Sequence, residues 1–262
     1  MNATVFSPQG AAHVLLQAER SGALLAALPD TARPADLLQG YDIQDAVIAA
    51  RGTPRAGWKL GVGSPAQLKA NDLHRPLIGQ LAAERCHADG AQLRMPSADA
   101  VTIECEIAFV LARDIPPEPG RAPSAADVKH ACVTLEIVRS RFIDRRAVGW
   151  PSFVADSVGF EALVISTPIC TGLNVDVLRE VNDSVSVALD GTPRASALFG
   201  DAATDPVQSL AALFDHAAER GITLKAGEIV TTGAMCQPFN ISGQGHVIHV
   251  TYAGGELRAE LA

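Results

Sequence analysis

The spacing of apolar residues predicts a helical beginning followed by a body rich in strands. Apolar side chains recur at helical intervals from Ser7-Pro8, a typical helix start, through Leu28, and Pro29 ends this segment. A second helix is predicted from Asp36 to Ala50. We therefore expect residues 1–56 to form an N-terminal helical portion packed on the rest of the chain.

Short apolar runs separated by turn residues replace the helical pattern from Gly57 onwards. Val, Ile and Thr dominate several of these runs, as is typical of strands. The predicted extended segments are Gly57–Gly63, Pro76–Leu81, Val101–Ala112, Cys132–Val138, Ser157–Ile165, Val185–Leu189, Glu228–Thr232 and His246–Tyr252. They predict a β-rich body over residues 57–262, forming one structural unit with the helical portion.

Two helices are expected to interrupt the strands. A capping box at Ser124–Asp127 predicts a short helix, and Asp205-Pro206 opens a longer one that ends at Gly221. Residues 114–121 and 191–204 are predicted as loops. Because helices and strands do not alternate regularly, the pattern indicates an α+β fold rather than a doubly wound parallel sheet.

Composition and charge narrow the class of protein. The 262 residues include 21 basic and 29 acidic side chains, a formal net charge of −8, and no basic run longer than Arg145-Arg146. This argues against nucleic-acid binding, since phosphate contacts need a basic face. The five cysteines include no CxxC pair, which argues against a thiolate zinc site. Without a signal-peptide pattern or a long apolar stretch, we expect a cytoplasmic protein that does not contact membranes.

A pair of glutamates in one predicted strand is the first candidate for chemistry. Glu104 and Glu106 alternate with apolar residues, so both point to the same face, roughly 6.5–7 Å apart along the strand. Carboxylates this close disfavour each other's ionisation unless a positive charge lies between them. They indicate either a solvated strand face or a metal or acid–base site.

Two further charged residues sit in unusual surroundings. Glu136 is the only charge in the run from Cys132 to Val138, and a buried glutamate needs a partner. That partner is either a basic group, such as Arg139, Arg141 or one on another strand, or a cation shared with the other glutamates. Mg²⁺ or Mn²⁺ suits an all-carboxylate set. Lys59, between two glycines, is by itself an ordinary exposed lysine, but near such a centre it becomes a candidate proton carrier or anion clamp.

Five blocks of sequence follow one another along the chain: Gly57–Gly61, Ile103–Ala108, Leu135–Val138 with Ser140-Arg141, Val154–Ser157 and Gly227–Gly233. In this order they resemble the 2-keto-4-pentenoate hydratase / 4-oxalocrotonate decarboxylase family of the fumarylacetoacetate hydrolase superfamily. The resemblance implies a mixed β-roll body with an N-terminal helical portion, and a homo-oligomer.

The same resemblance implies the contents of the site. An Mg²⁺ or Mn²⁺ ion would be held by Glu104, Glu106 and Glu136, with a small 2-oxo acid or its dienol chelating the ion. Lys59 and Asp156 match the family's catalytic positions. The positions implied for substrate binding are Ser157, Leu77, Arg141, Thr232 and Gly233.

The chain departs from the family pattern at three places. Hydratases of the family usually have aspartate where this chain has Leu77, whereas the decarboxylase branch tends to have an apolar residue. A Gly-His-Pro block usually precedes the late helix, where Asp205-Pro206 stands here. Ser157 replaces an asparagine.

These observations favour a metal-dependent lyase that hydrates a 2-hydroxy-2,4-dienoate. The alternatives are decarboxylation of a 4-oxalocrotonate-like diacid, hydrolysis of an acylpyruvate, and a scaffold without activity that binds a ligand.

Overall fold

The computed structural model describes residues 6–262, and within them helices occupy both the N-terminal portion and the body. Residues 1–5, on which the absence of a signal peptide was predicted, lie outside the described residues. The α-helices are α1 (Pro8–Ser21), α2 (Leu37–Arg51), α3 (Pro65–Ala70), α4 (Gly149–Ala155), α5 (Val175–Ser184) and α6 (Pro206–Arg220). Single 3₁₀ turns cover Ala83–Arg85, Ala125–Asp127, Ser157–Gly159 and Gly200–Ala202.

Strands make up most of the body. In chain order they are β1 (Arg55–Gly61), β2 (Leu77–Ala82), β3 (Cys86–Ala88), β4 (Ala91–Leu93), β5 (Val101–Leu111), β6 (Val128–Val138), β7 (Phe160–Thr171), β8 (Ser186–Leu189), β9 (Thr192–Ser196), β10 (Ile229–Ala234), β11 (Phe239–Ile241), β12 (His246–Tyr252) and β13 (Gly255–Leu261).

Capping residues explain where the N-terminal helices begin and end. Ser7 accepts a hydrogen bond from the Gly10 N–H at the start of α1, and Asp36 accepts one from Gln39 at the start of α2. The predicted continuation of the first helix through Leu28 is wrong. Gly22 adopts φ 72° and ends α1, after which Leu25 forms a parallel β-bridge with Phe142.

The helical portion packs on the body through its own apolar cluster. This cluster joins residues of α1 and α2 to Phe142 and Ala155 of the body. Gln44 of α2 donates hydrogen bonds to the carbonyl oxygens of Ile78, at 2.8 Å, and Val154. The chain enters β1 at Arg55, two residues before the predicted boundary.

Two sheets form the body. The larger has the order β2-β1-β10-β5-β6-β7-β3, with β11 also pairing with β5, and the smaller has the order β4-β13-β12-β8-β9. Most pairs are antiparallel, but β1 and β10, β3 and β7, and β13 and β4 are parallel. This mixed sheet with separate helices agrees with the predicted α+β class.

Several local predictions are confirmed and others are wrong. The late helix is confirmed as α6, which Asp205 caps and Gly221 ends, and residues 114–121 contain neither helix nor strand. The box at Ser124 opens only a 3₁₀ turn. The segment 191–204 contains β9, because an Asp190-Gly191 turn folds it back onto β8. Three short helices, α3, α4 and α5, were not predicted. No helix within residues 6–262 is long and apolar enough to cross a membrane.

A buried histidine in α6 predicts a loss of stability in acid. His216 lies edge-on against Tyr41 and Trp58, and burial, aided by Arg75 and Arg220, lowers its pKa to about 3. Below pH 6.5 the unfolded chain binds a proton on this histidine that the folded chain does not bind. The free energy of unfolding therefore decreases as the pH is lowered, by about 2 kcal/mol at pH 5.

Urea unfolding at pH 7 and pH 5 measures this loss. His216→Gln is expected to flatten the acid dependence, even where packing costs it stability at pH 7. The control is His13→Gln, at an exposed position of α1. Equal pH dependence in His216→Gln and the wild type would contradict the assignment.

Candidate active site

Three glutamates converge on one face of the large sheet. The register of β5 and β6 places Glu104 directly opposite Glu136, and Glu106 follows two residues later on the same face. One carboxylate oxygen from each lies within 4.8 Å of the others. Glu106 and Glu136 are fully buried, and Glu104 is partly exposed. The spacing of Glu104 and Glu106 predicts two members of this carboxylate cluster, and the pairing of β5 with β6 adds the third.

Lys59 completes the cluster from the other side of β10. Its ammonium contacts Glu136 and donates to the Val158 carbonyl oxygen at 3.2 Å. The interpretation of Lys59 as an exposed lysine is wrong, because its side chain is 1% exposed. Burial opposes its charge, but Glu136 and the other two glutamates outweigh burial and raise the pKa of Lys59. The lysine is therefore a cation within the site.

Burial and mutual repulsion disfavour the charged forms of the buried carboxylates. Burial, together with the charges of Glu136 and Glu104, raises the pKa of Glu106 well above its usual range. Burial also raises the pKa of Glu136 to about 7, against the opposing effect of Lys59. One lysine does not balance three carboxylates.

Unpartnered oxygens show that the cluster fits a metal ion. Glu106 Oε1 and Glu136 Oε2 are buried and have no hydrogen-bond partner among the described residues. Such atoms are rare, and each carries a desolvation cost that a ligand would offset. Carboxylate oxygens are the donors that hard divalent cations prefer. Glu104, Glu106 and Glu136 therefore suit Mg²⁺ or Mn²⁺.

A strained turn brings the Val158 carbonyl to Lys59. Ser157 and Val158 adopt φ of 48° and 55°, the left-handed region that side chains rarely occupy. Glycines opposite make room for this turn: a Cβ on Gly79 would lie 2.5 Å from the Ser157 carbonyl oxygen, and one on Gly61 would lie 2.9 Å from the Val158 side chain. The Gly-Trp-Lys-Leu-Gly block is thus needed for close approach.

Asp156 and Arg141 lie together, in a network separate from the carboxylate cluster. The Asp156 carboxylate accepts hydrogen bonds from the Arg141 side chain, from the Arg141 N–H at 2.8 Å and from Ser140 at 3.0 Å. Arg141 also donates to Glu161 at 3.1 Å and to the Phe160 carbonyl oxygen. Asp156 and Arg141 therefore neutralise each other's charge, and their roles as a catalytic and a substrate-binding residue stay predictions. The network holds the turn that follows Asp156.

The Thr232-Gly233 block contributes through its backbone. The Gly233 N–H donates to Glu106 Oε2 at 2.6 Å and so orients this carboxylate. The Thr232 hydroxyl donates to the Ile107 carbonyl oxygen at 2.7 Å, on the opposite face of the sheet. Thr232 and Gly233 stay predictions as substrate-binding positions. Thr231, missed in the sequence, faces the cluster, and the two-residue period of β10 is the signal that identifies it.

Leu77 and Ser157 lie where they border the site. Leu77 pairs with Gly61, so it shares the sheet face of Lys59, and it is buried. Ser157 is buried within the strained turn. Both positions stay predictions as substrate contacts.

A cavity of about 680 Å³ opens beside the cluster. Thr102 and Val138 line it. Thr102 lies two residues from Glu104 on the same face of β5, and Val138 lies two residues from Glu136 on the same face of β6. Its outer wall carries Arg145 and Arg146. Asp99 and Asp144 also line the cavity, and its volume is of the size that small-molecule sites have.

Comparison with known proteins identifies the family. A model of the fumarylacetoacetate (FAA) hydrolase C-terminal family matches residues 58–262. A 2-keto-4-pentenoate hydratase from Burkholderia vietnamiensis is 29% identical over 228 residues, 84% of each chain. A 2-hydroxyhexa-2,4-dienoate hydratase from Comamonas testosteroni is 27% identical over 227 residues, again 84% of each chain.

A solved structure shares the fold over nearly the whole chain. The 4-oxalocrotonate decarboxylase from Pseudomonas putida G7, complexed with magnesium and adipate, superposes with a TM-score of 0.82 at 23% identity, covering 97% of this chain and 96% of that chain. The chain belongs to the fumarylacetoacetate hydrolase family, and like these relatives it is an enzyme. The predicted family and fold are confirmed.

Proposed function

We propose that the protein is a divalent-metal-dependent lyase that hydrates a 2-hydroxy-2,4-dienoate, a small 2-oxo acid in its dienol form. The observation that carries the proposal is the convergence of three strand carboxylates, two with unpartnered buried oxygens, beside a fully buried lysine. Relatives named as hydratases of such acids, aligned over 84% of the chain, support the substrate class.

The three glutamates would hold Mg²⁺ or Mn²⁺. When bound, the ion supplies Lewis-acid polarisation of the chelated oxo acid. Gly233 keeps Glu106 oriented through its N–H, and Lys59 keeps Glu136 oriented through its ammonium. The chain therefore fixes two of the three ligands before any ion arrives.

Lys59 is the group that donates a proton to the reacting carbon atoms or stabilises negative charge on them. Its ammonium lies beside Glu136, where it can donate a proton or stabilise negative charge on the dienolate. The Val158 carbonyl and Glu136 restrict where its ammonium lies. Asp156 and Arg141 support this placement by holding the turn that carries Val158.

Leu77 favours decarboxylation as a second candidate. Its buried apolar side chain on the Lys59 face cannot transfer a proton. The resemblance associates an apolar residue at this position with the decarboxylase branch. Loss of CO₂ from a diacid would use the same glutamates and lysine, so the two reactions differ in the substrate rather than in the metal site.

Calorimetry and a paired product assay test the proposal. Chelator-treated protein should bind Mg²⁺ or Mn²⁺, and pyruvate should bind only to the metal-loaded form. The loaded protein should then consume a 2-hydroxy-2,4-dienoate, seen as loss of dienol absorbance, without releasing CO₂. Release of CO₂ from a 4-oxalocrotonate-type diacid instead would establish the decarboxylase. Binding of neither metal nor pyruvate would refute both reactions.

A further inference from the structure

Two adjacent threonines of β10 face opposite sides of the sheet and differ in their hydrogen bonding. Thr232 faces the main core and donates to the Ile107 carbonyl oxygen. Thr231 faces the carboxylate cluster, and it is completely buried. Its Oγ1 has no hydrogen-bond partner among the described residues. A buried hydroxyl without a partner destabilises a fold, so this one needs an explanation.

The neighbours of Thr231 place its hydroxyl at the floor of the site. Thr231 pairs with Ala108 of β5, the residue that follows Glu106 on the same face. On its other side, the parallel register of Trp58 with Val230 sets Thr231 beside Lys59. Ala108 packs with Cys132 and Ile229 in an apolar cluster, so it offers the hydroxyl no hydrogen-bond partner.

A second buried oxygen without a hydrogen-bond partner lies near Thr231 on the same face of the sheet. Glu106 Oε1 is buried without a hydrogen bond, and Glu106 is the next residue on the β5 face towards the mouth of the site. A metal ion accounts for a free carboxylate oxygen, but it does not account for a hydroxyl, which also carries a proton that needs an acceptor. A water molecule satisfies a hydroxyl both as acceptor and as donor.

We propose that Thr231 is a positioning residue whose hydroxyl hydrogen-bonds the water molecule that adds to the substrate. The inference rests on the proposed hydratase function. In the reaction, the dienol first becomes the unsaturated oxo acid by moving its hydroxyl proton to the far end of the diene. The water oxygen then bonds to the carbon β to the keto group and a water proton ends on the carbon between them, so no other reagent is consumed. Thr231 neither gains nor loses atoms; it orients the water.

Thr231→Val, which keeps the shape and removes the hydroxyl, is the main test. With metal, kcat for the dienoate should fall about tenfold, the effect of losing roughly one hydrogen bond in the transition state, while KM changes little. Thr231→Ser should restore kcat.

Two controls separate this role from packing and from the parent proposal. Thr232→Val removes the hydroxyl that donates to the Ile107 carbonyl oxygen, and this loss of a buried hydrogen bond should lower the unfolding temperature. Pyruvate affinity of the metal-loaded Thr231→Val protein should equal that of the wild type, since the hydroxyl binds water rather than the oxo acid.

An unchanged kcat, weakened pyruvate binding or failure of serine to rescue would each overturn the role of Thr231 while leaving the hydratase intact. Failure of the hydratase function itself would show in the wild type, which would then not turn over the dienoate, and both proposals would fall.

Discussion

Glu106→Gln is expected to abolish divalent-metal binding and to lower turnover of the dienoate by about three orders of magnitude, equivalent to about 4 kcal/mol of transition-state stabilisation. Glutamine keeps the volume of the side chain and can still accept from the Gly233 N–H. It removes one of only three carboxylates that surround the cation site. The ligand charge, rather than the fold, is therefore what changes.

Calorimetry with Mg²⁺ and Mn²⁺ measures the loss of binding, and circular dichroism checks that the variant is folded. Glu118→Gln, on an exposed loop, is the matched control and should bind metal and turn over substrate like the wild type. Undiminished metal affinity in Glu106→Gln would show that the three glutamates are not the ligand set.

Asp156→Ala is expected to destabilise the protein by about 3–5 kcal/mol, because it leaves the buried Arg141 guanidinium without its main counter-charge. Both side chains are at most 5% exposed, so water does not replace the lost partner. Arg141→Met should have a comparable effect from the other side. In the double variant the losses should not add, since the two residues form one network.

Urea unfolding measures these free energies, and the exposed pair of Asp176 and Arg179 provides the reference. Asp176→Ala should cost less than about 0.5 kcal/mol, as surface pairs do. Activity of Asp156→Asn should fall only as far as the turn and Lys59 are disturbed, with an unchanged pH profile. A stable Asp156→Asn protein with a shifted pH profile would instead establish Asp156 as a proton-transfer group.

Local sequence signals were sufficient wherever the structure depends on neighbouring residues. Ser7, Asp36 and Asp205 cap helices because a side-chain oxygen meets an N–H two or three residues away. Alternation along β5 placed Glu104 and Glu106 on one face for the same reason. The signals failed at Leu28, where Gly22 had already ended the helix, and at the short helices, whose stability depends on packing against other elements.

The sequence by itself determined the α+β class, the family and the chemical character of the site: an oxygen-donor set with a lysine. Only the tertiary structure decided that Glu136 lies opposite Glu104 and that Lys59 is buried between Glu136 and Val158. It also decided that Asp156 forms an ion pair with Arg141. It also distinguished Thr231 from Thr232. The reason is physical: strand register and the partners of buried charges depend on contacts between residues far apart in the chain, which local spacing does not encode.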